Sequence, residues 1–190
     1  MPEKQGLYFI AFIPQQELCD DITGFKKDFA IRFNSRKALS VIPHITLKTP
    51  FKLPADKRNN LLTRFNNLKL AGQPFNIELN GFGSFRNKRN PVVFINPVMN
   101  SQLLSLQKQL IISFENNFPS LLEDVDSKFT PHITIAYRDL EPARFIEAWQ
   151  EYKSKAYHAI FEVKGIHLLQ HDSRQWNIIS TYLLKNDPRT

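Results

Sequence analysis

Pro43-His44-Ile45-Thr46-Leu47 recurs 88 positions later as Pro131-His132-Ile133-Thr134-Ile135. An extended strand points successive side chains to opposite faces, so each copy sets a histidine and a threonine on one face and two aliphatic residues on the other. The aliphatic pair suits a core, the imidazole and hydroxyl a cleft. Two such strands brought together would make one site from two half-sites.

The flanking pattern also repeats. Leu7 to Ile13 is an apolar, aromatic-rich run closed by Pro14, which reads as a buried strand. Leu18, Ile22, Phe25, Phe29 and Phe33 then recur at helical spacing and lead into the first motif. Beyond it, after Pro50 and Pro54, Leu61, Leu62, Phe65 and Leu68 give a second helical stripe, ended by Gly72 and Pro74. Phe75 to Leu79 alternates as a half-buried strand and runs into the glycine-punctuated Gly81-Phe82-Gly83-Ser84-Phe85, followed by the polar turn Arg86 to Pro91.

Val92 to Ile95 reads as a strand and Leu103, Leu106, Leu110 and Phe114 as a helix capped by Asn100 or Ser101. Pro119 to Thr130 is a long connection with Glu123, Asp124 and Asp126, entering the second motif. A helix over Glu141 to Tyr152 and strands over Tyr157 to Val163, Ile166 to Leu169 and Trp176 to Leu184 complete the pattern. Both halves thus follow one order: strand, helix, His-x-Thr strand, helix, strands. We expect residues 1–190 to form a single α+β domain of two pseudo-repeated lobes, with the His44 motif in the first half and the His132 motif in the second.

Composition fits this picture. With 42% hydrophobic residues and 16 phenylalanines, 190 residues can bury a sizeable core without a metal or disulfide. Cys19 is the only cysteine, which excludes an intrachain disulfide and a thiolate cluster. No stretch has the length of a membrane span or the form of a signal peptide, so a cytoplasmic protein without membrane contact is expected. A net charge of +7 favours a phosphate-bearing partner.

Histidine changes charge near neutrality, so His44 and His132 in one cleft can serve as base and acid. One takes a proton from the attacking oxygen while the other gives one to the leaving oxygen. Thr46 and Thr134, one strand step along, are placed to donate hydrogen bonds to non-bridging phosphate oxygens. Metal ligation fits poorly, because neither motif supplies a carboxylate or a second histidine at flanking positions of the same face.

Continued alternation sets Lys48 on the face of Thr46 and Arg138 on the face of Thr134, where either cation could pair with phosphate or sit in solvent at a strand end. Phe51 and Phe85 are candidates for stacking on a base or for core packing, the latter beside the Arg86, Lys88 and Arg89 loop. His158, His167 and His171 lack a threonine two residues on and read as packing or surface histidines. Gly81-x-Gly83 lacks the third glycine and following helix of a dinucleotide loop.

Paired His-x-Thr motifs in a duplicated chain of this size resemble the two-histidine (2H) phosphoesterases. The longer second motif, His132-Ile133-Thr134-Ile135-Ala136-Tyr137-Arg138, is similar to the bacterial 2′-5′ RNA ligase branch. The resemblance implies two lobes around a concave groove, each an antiparallel sheet with helices on its outer face. It further implies a phosphodiesterase, without metal or other cofactor, hydrolysing 2′,3′-cyclic phosphates on RNA ends or small nucleotides and in some members acting on 2′-5′ linkages. His44 and His132 would be the acid/base pair and Thr46 and Thr134 the phosphate contacts, with no protein partner implied. The rival reading is a non-catalytic RNA or nucleotide binding module that keeps the groove.

Overall fold

The computed structural model describes residues 5–185. Eight strands form two four-stranded antiparallel sheets, with the orders β2-β1-β7-β8 and β5-β4-β3-β6. The first combines β1 (Gln5–Phe12), β2 (Ile45–Pro54), β7 (Gly165–His171) and β8 (Trp176–Leu183). The second combines β3 (Phe75–Phe85), β4 (Val92–Pro97), β5 (Ile133–Ala136) and β6 (His158–Val163). Each sheet therefore mixes strands from both halves of the chain. β3, which follows the first His-x-Thr unit, pairs with β4 of the second, and β7, which follows the second unit, pairs with β1 of the first.

Helices cross over in the same reciprocal way. α1 (Gln16–Arg32) follows β1 yet packs on β5, while α3 (Ser101–Asn117) follows β4 and packs on β2. α2 (Arg58–Asn66) lies on β8 and α5 (Pro142–Tyr152) on β4. Leu18, Ile22 and Phe29 of α1 and Leu103, Leu106 and Leu110 of α3 join Ile45, Leu47, Ile133 and Ile135 in one continuous core. The aliphatic faces of both motifs thus hold the two lobes together. Asn100 caps α3, accepting from the Leu103 N–H at 2.8 Å. Tyr152 of α5 donates to Asp28 of α1 at 2.7 Å.

Pro50 does not end the first motif strand, because β2 continues for ten residues to Pro54. β2 is an edge strand, where a residue without an N–H breaks no ladder on its free side. The Gly81 to Phe85 stretch continues β3. Gly81, at φ 63°, takes the left-handed backbone of a register shift between Leu79 and Phe82. A Cβ on Gly83 would collide with Phe94 and Asn96, so this glycine makes room for the Phe94 ring.

The 119–130 connection is also more ordered than its polarity suggests. It holds a short helix, α4 (Asp124–Ser127), closed by a reciprocal capping box between Glu123 and Asp126.

Candidate active site

β2 and β5 are each the outermost strand of their sheet, and His44, Thr46, His132 and Thr134 line one cavity of about 240 Å³ between them. Ile45 and Ile133 point the other way and are fully buried, as the two-residue period requires. The sequence repeat has become spatial proximity.

Both imidazoles are held alike. The His44 Nδ1–H donates to the Ile42 carbonyl at 2.7 Å and the His132 Nδ1–H to the Thr130 carbonyl at 2.8 Å, each two residues back. This assigns the proton to Nδ1 and leaves both Nε2 atoms free to exchange one. Aromatic rings fix the imidazole planes from behind: Phe9 lies 4.8 Å from His44, and Phe85 and Phe94 lie 5.0 and 5.4 Å from His132.

Burial lowers the His44 pKa to about 4, against the Ile42 carbonyl bond, which raises it; the nearby charges of Lys26 and His132 lower it further. Burial also lowers the His132 pKa, opposed by its bond to Thr130. A depressed folded-state pKa means that the unfolded chain binds more protons on acidification. For His44 this contribution to stability is intact above pH 6.5 and is lost as pH falls toward about 4. Denaturant unfolding at pH 7 and pH 4.5 should accordingly differ by about 2–3 kcal/mol from this residue, and His44→Asn should shrink that difference.

Arg138 reaches the cavity, by a route other than strand phase. The β4–β5 ladder shifts register between Val93 and Phe94, pairing them with Ala136 and Thr134 and turning Ala136 into the core. The chain then leaves the strand, and Arg138, at φ 63°, swings back over Tyr137, its guanidinium 5.1 Å from that ring. Asp139 locks this turn to the wall of the cavity, accepting from Ser35 Oγ at 2.9 Å and from the Arg36 and Lys37 N–H groups at 2.8 and 3.0 Å.

Lys48 is placed elsewhere. The equivalent irregularity in β2 pairs Ile10 with Lys48 and Ala11 with Thr46, so Leu47 is the extra residue and Lys48 turns into the core. There it is fully buried and pairs with Asp126 at 2.9 Å. Burial works to raise the Asp126 carboxyl, but hydrogen bonds from Lys48, the Glu123 N–H and Thr49 outweigh it and leave it below the usual carboxylate range. Lys48 is thus a structural cation that pins the 119–130 connection to β2, and its expected phosphate role is corrected.

Phe51 is corrected likewise. It is 4% exposed and packs against Tyr8 and Phe114 in the core, where no base can reach it. Phe85 stands edge-on to His132 and opens on a neighbouring hollow of about 280 Å³ that shares Thr46 and His132 with the main cavity.

Among the lining residues absent from the candidates read in the sequence are Phe9, Lys26, Tyr137 and Trp176. Trp176, at the start of β8, meets Phe9 edge-on at 4.5 Å and gives the cavity an aromatic wall. His171 packs edge-on against Trp176 at 5.0 Å, whereas His158 bonds Glu78 and His167 bonds Thr181. No helix among the described residues is long and apolar enough to cross a membrane.

The chain is similar to known proteins along nearly its whole length. Relatives include a protein named "Putative phosphoesterase" in Geobacillus kaustophilus, 27% identical over 178 residues that cover 93% of this chain and 95% of the relative. A relative of the same name in Bacillus cytotoxicus is 26% identical over 92% of this chain and 95% of its own length. Among solved structures, E. coli LigT complexed with 3′-AMP superposes with a TM-score of 0.70 at 16% identity, covering 96% of this chain and all of LigT. TT0787 of Thermus thermophilus gives 0.66 at 18% identity, covering 95% of this chain and 99% of that one. The family model of the 2′-5′ RNA ligase superfamily matches residues 14–175, and the chain belongs to that superfamily, whose two-histidine members the twin motif resembles.

Proposed function

We propose that this protein is a phosphodiesterase that opens 2′,3′-cyclic phosphates on RNA ends or small nucleotides, using His44 and His132 as the acid/base pair. The observation that carries the reading is the matched presentation of the two imidazoles, each bonded through Nδ1 to a carbonyl and each leaving Nε2 free toward one cavity.

In-line displacement at phosphorus needs a base behind the attacking water and an acid beside the leaving oxygen. Two half-sites on facing edge strands supply both. The neutral imidazole removes the water proton as its oxygen bonds to phosphorus, and the imidazolium protonates the ribose oxygen as the P–O bond breaks. A phosphomonoester and a free hydroxyl result. Thr46 and Thr134 donate to the non-bridging oxygens, and Arg138 supplies positive charge where the transition state carries the most negative charge.

No metal is asked to act in this scheme. Among the described residues no three His, Cys, Asp or Glu side chains cluster as metal ligands, and the polar lining of the cavity is two histidines, two threonines, two cations, Tyr137 and Trp176. Relatives named as phosphoesterases and a nucleotide-binding fold neighbour support the substrate class. With a 5′-hydroxyl in place of water as the nucleophile, the same base and acid would join it to phosphorus as the ribose 3′ oxygen leaves and is protonated, so 2′-5′ linkage chemistry belongs to the same proposal.

A substrate panel in excess chelator tests it: 2′,3′-cyclic mononucleotides, RNA with a 2′,3′-cyclic end, and 2′-5′ linked dinucleotides, with products followed by ³¹P NMR. Turnover of at least one cyclic substrate to a single phosphomonoester is expected. Binding without turnover across the panel would instead indicate a nucleotide-binding module.

A further inference from the structure

Lys26 stands on the inner face of α1, 2% exposed, and lines the cavity together with both histidines. Its Nζ donates to the Val41 carbonyl at 2.6 Å. An ammonium has three donors and no acceptor, so this bond uses one of them. Among the described residues no carboxylate lies within ion-pairing distance of it. The contrast with Lys48 is direct, since that lysine is equally buried and has Asp126.

A buried cation without a counter-ion is costly in a folded protein. Tying α1 to the segment ahead of the first motif does not call for a charge, because a neutral amide donor would serve. Burial lowers the Lys26 pKa to about 8, which leaves the ammonium largely charged at neutral pH. The other ionisable groups near it are His44 and His132, the Arg138 guanidinium, the Tyr137 phenol, and Cys19 on its own helix, whose thiol burial pushes up to about 11. None of these is a carboxylate.

We propose that Lys26 is a phosphate-binding residue of this cavity, donating to a non-bridging oxygen at the His44 end, and that bound phosphate in turn favours protonation of His44. Without ligand, the Lys26 charge discourages a proton on the adjacent imidazole. An anion between the two reverses that effect, so His44 gains its proton with substrate in place. This extends the phosphodiesterase reading to a residue outside both motifs and rests on that reading for the identity of the substrate, though not for the anion site.

The test uses inorganic phosphate and needs no turnover. In the wild-type protein labelled at lysine and histidine nitrogens, phosphate titrated to tens of millimolar should shift the Lys26 Nζ resonance and raise the pH at which His44 titrates. In Lys26→Met, phosphate affinity by calorimetry should fall about tenfold or more, as expected for a lost charge-assisted hydrogen bond, and His44 should titrate at higher pH without phosphate. Lys26→Arg should recover part of the affinity. An unmoved Lys26 resonance in the wild type, or phosphate affinity in Lys26→Met within twofold of wild type, would overturn the inference. The wild-type measurement decides alone if Lys26→Met does not fold. Phosphate binding that depends on Lys26 without any cyclic-phosphate turnover would uphold the anion site and sink only the activity.

Discussion

Replacing His44 or His132 by alanine is expected to lower kcat for a 2′,3′-cyclic nucleotide by about 10²- to 10⁴-fold, the usual contribution of a positioned acid or base. KM should change little, because the threonines and cations that hold the phosphate remain. The double variant should lose little beyond either single variant, since the two imidazoles act as one proton-exchanging unit and their effects do not add. Neither imidazole holds the core together: each bonds one carbonyl two residues back and packs on aromatic rings. Circular dichroism of both variants should match wild type. Loss of activity together with loss of fold would leave the histidines structural, and a drop below tenfold in either variant would remove that residue from the proton transfer.

The second large effect concerns stability. Lys48→Met is expected to destabilise the protein by about 3–5 kcal/mol, because it strands a buried carboxylate rather than merely deleting a contact. Asp126 would keep its bonds from Thr49 and the Glu123 N–H, both made to the same carboxylate, but lose the only cation paired with it among the described residues. Denaturant unfolding should show the loss, and Lys48→Met combined with Asp126→Leu should recover part of it by removing the stranded charge. At low temperature, where Lys48→Met is still folded, KM for a cyclic nucleotide should stay within about twofold of wild type, since stability and substrate binding are then independent sites. A large rise in KM with unchanged stability would restore Lys48 to the phosphate.

Both expectations turn on features of unequal legibility. Alternation within five residues was enough to separate Ile45 and Ile133 from His44 and His132, because a side-chain period of two is local and both strands keep it. It failed one residue later in each copy. The ladder irregularities at Leu47 and Ile135 invert the phase, sending Lys48 and Ala136 inward, and nothing in Ile-Thr-Leu-Lys or Ile-Thr-Ile-Ala announces an extra residue in the pairing. Arg138 still reaches the cavity because of a left-handed turn fixed by Asp139, a contact with a loop more than a hundred residues away.

Long-range partnership hid the rest. The matched order of elements pointed to a duplication, but the exchange of β3 and β7 between sheets is a pairing choice made in three dimensions. Lys26 sat in an amphipathic stripe as one more polar residue, and only the packing of α1 on β5 turns it toward the histidines. Trp176 enters from the last strand for the same reason. Asp126 looked like part of an acidic connection until β2 delivered a lysine to it.

The pH dependence of kcat/KM for a 2′,3′-cyclic nucleotide, measured in excess chelator, bears most directly on the two-histidine site. That ratio reports the free protein's ionisations, and burial holds both imidazoles below the ordinary histidine value. A bell-shaped profile with its optimum on the acid side of pH 6.5 is therefore expected, with chelator leaving the rate unchanged. A rate that climbs steadily with pH, or that vanishes with the metal, would contradict a site built from His44 and His132.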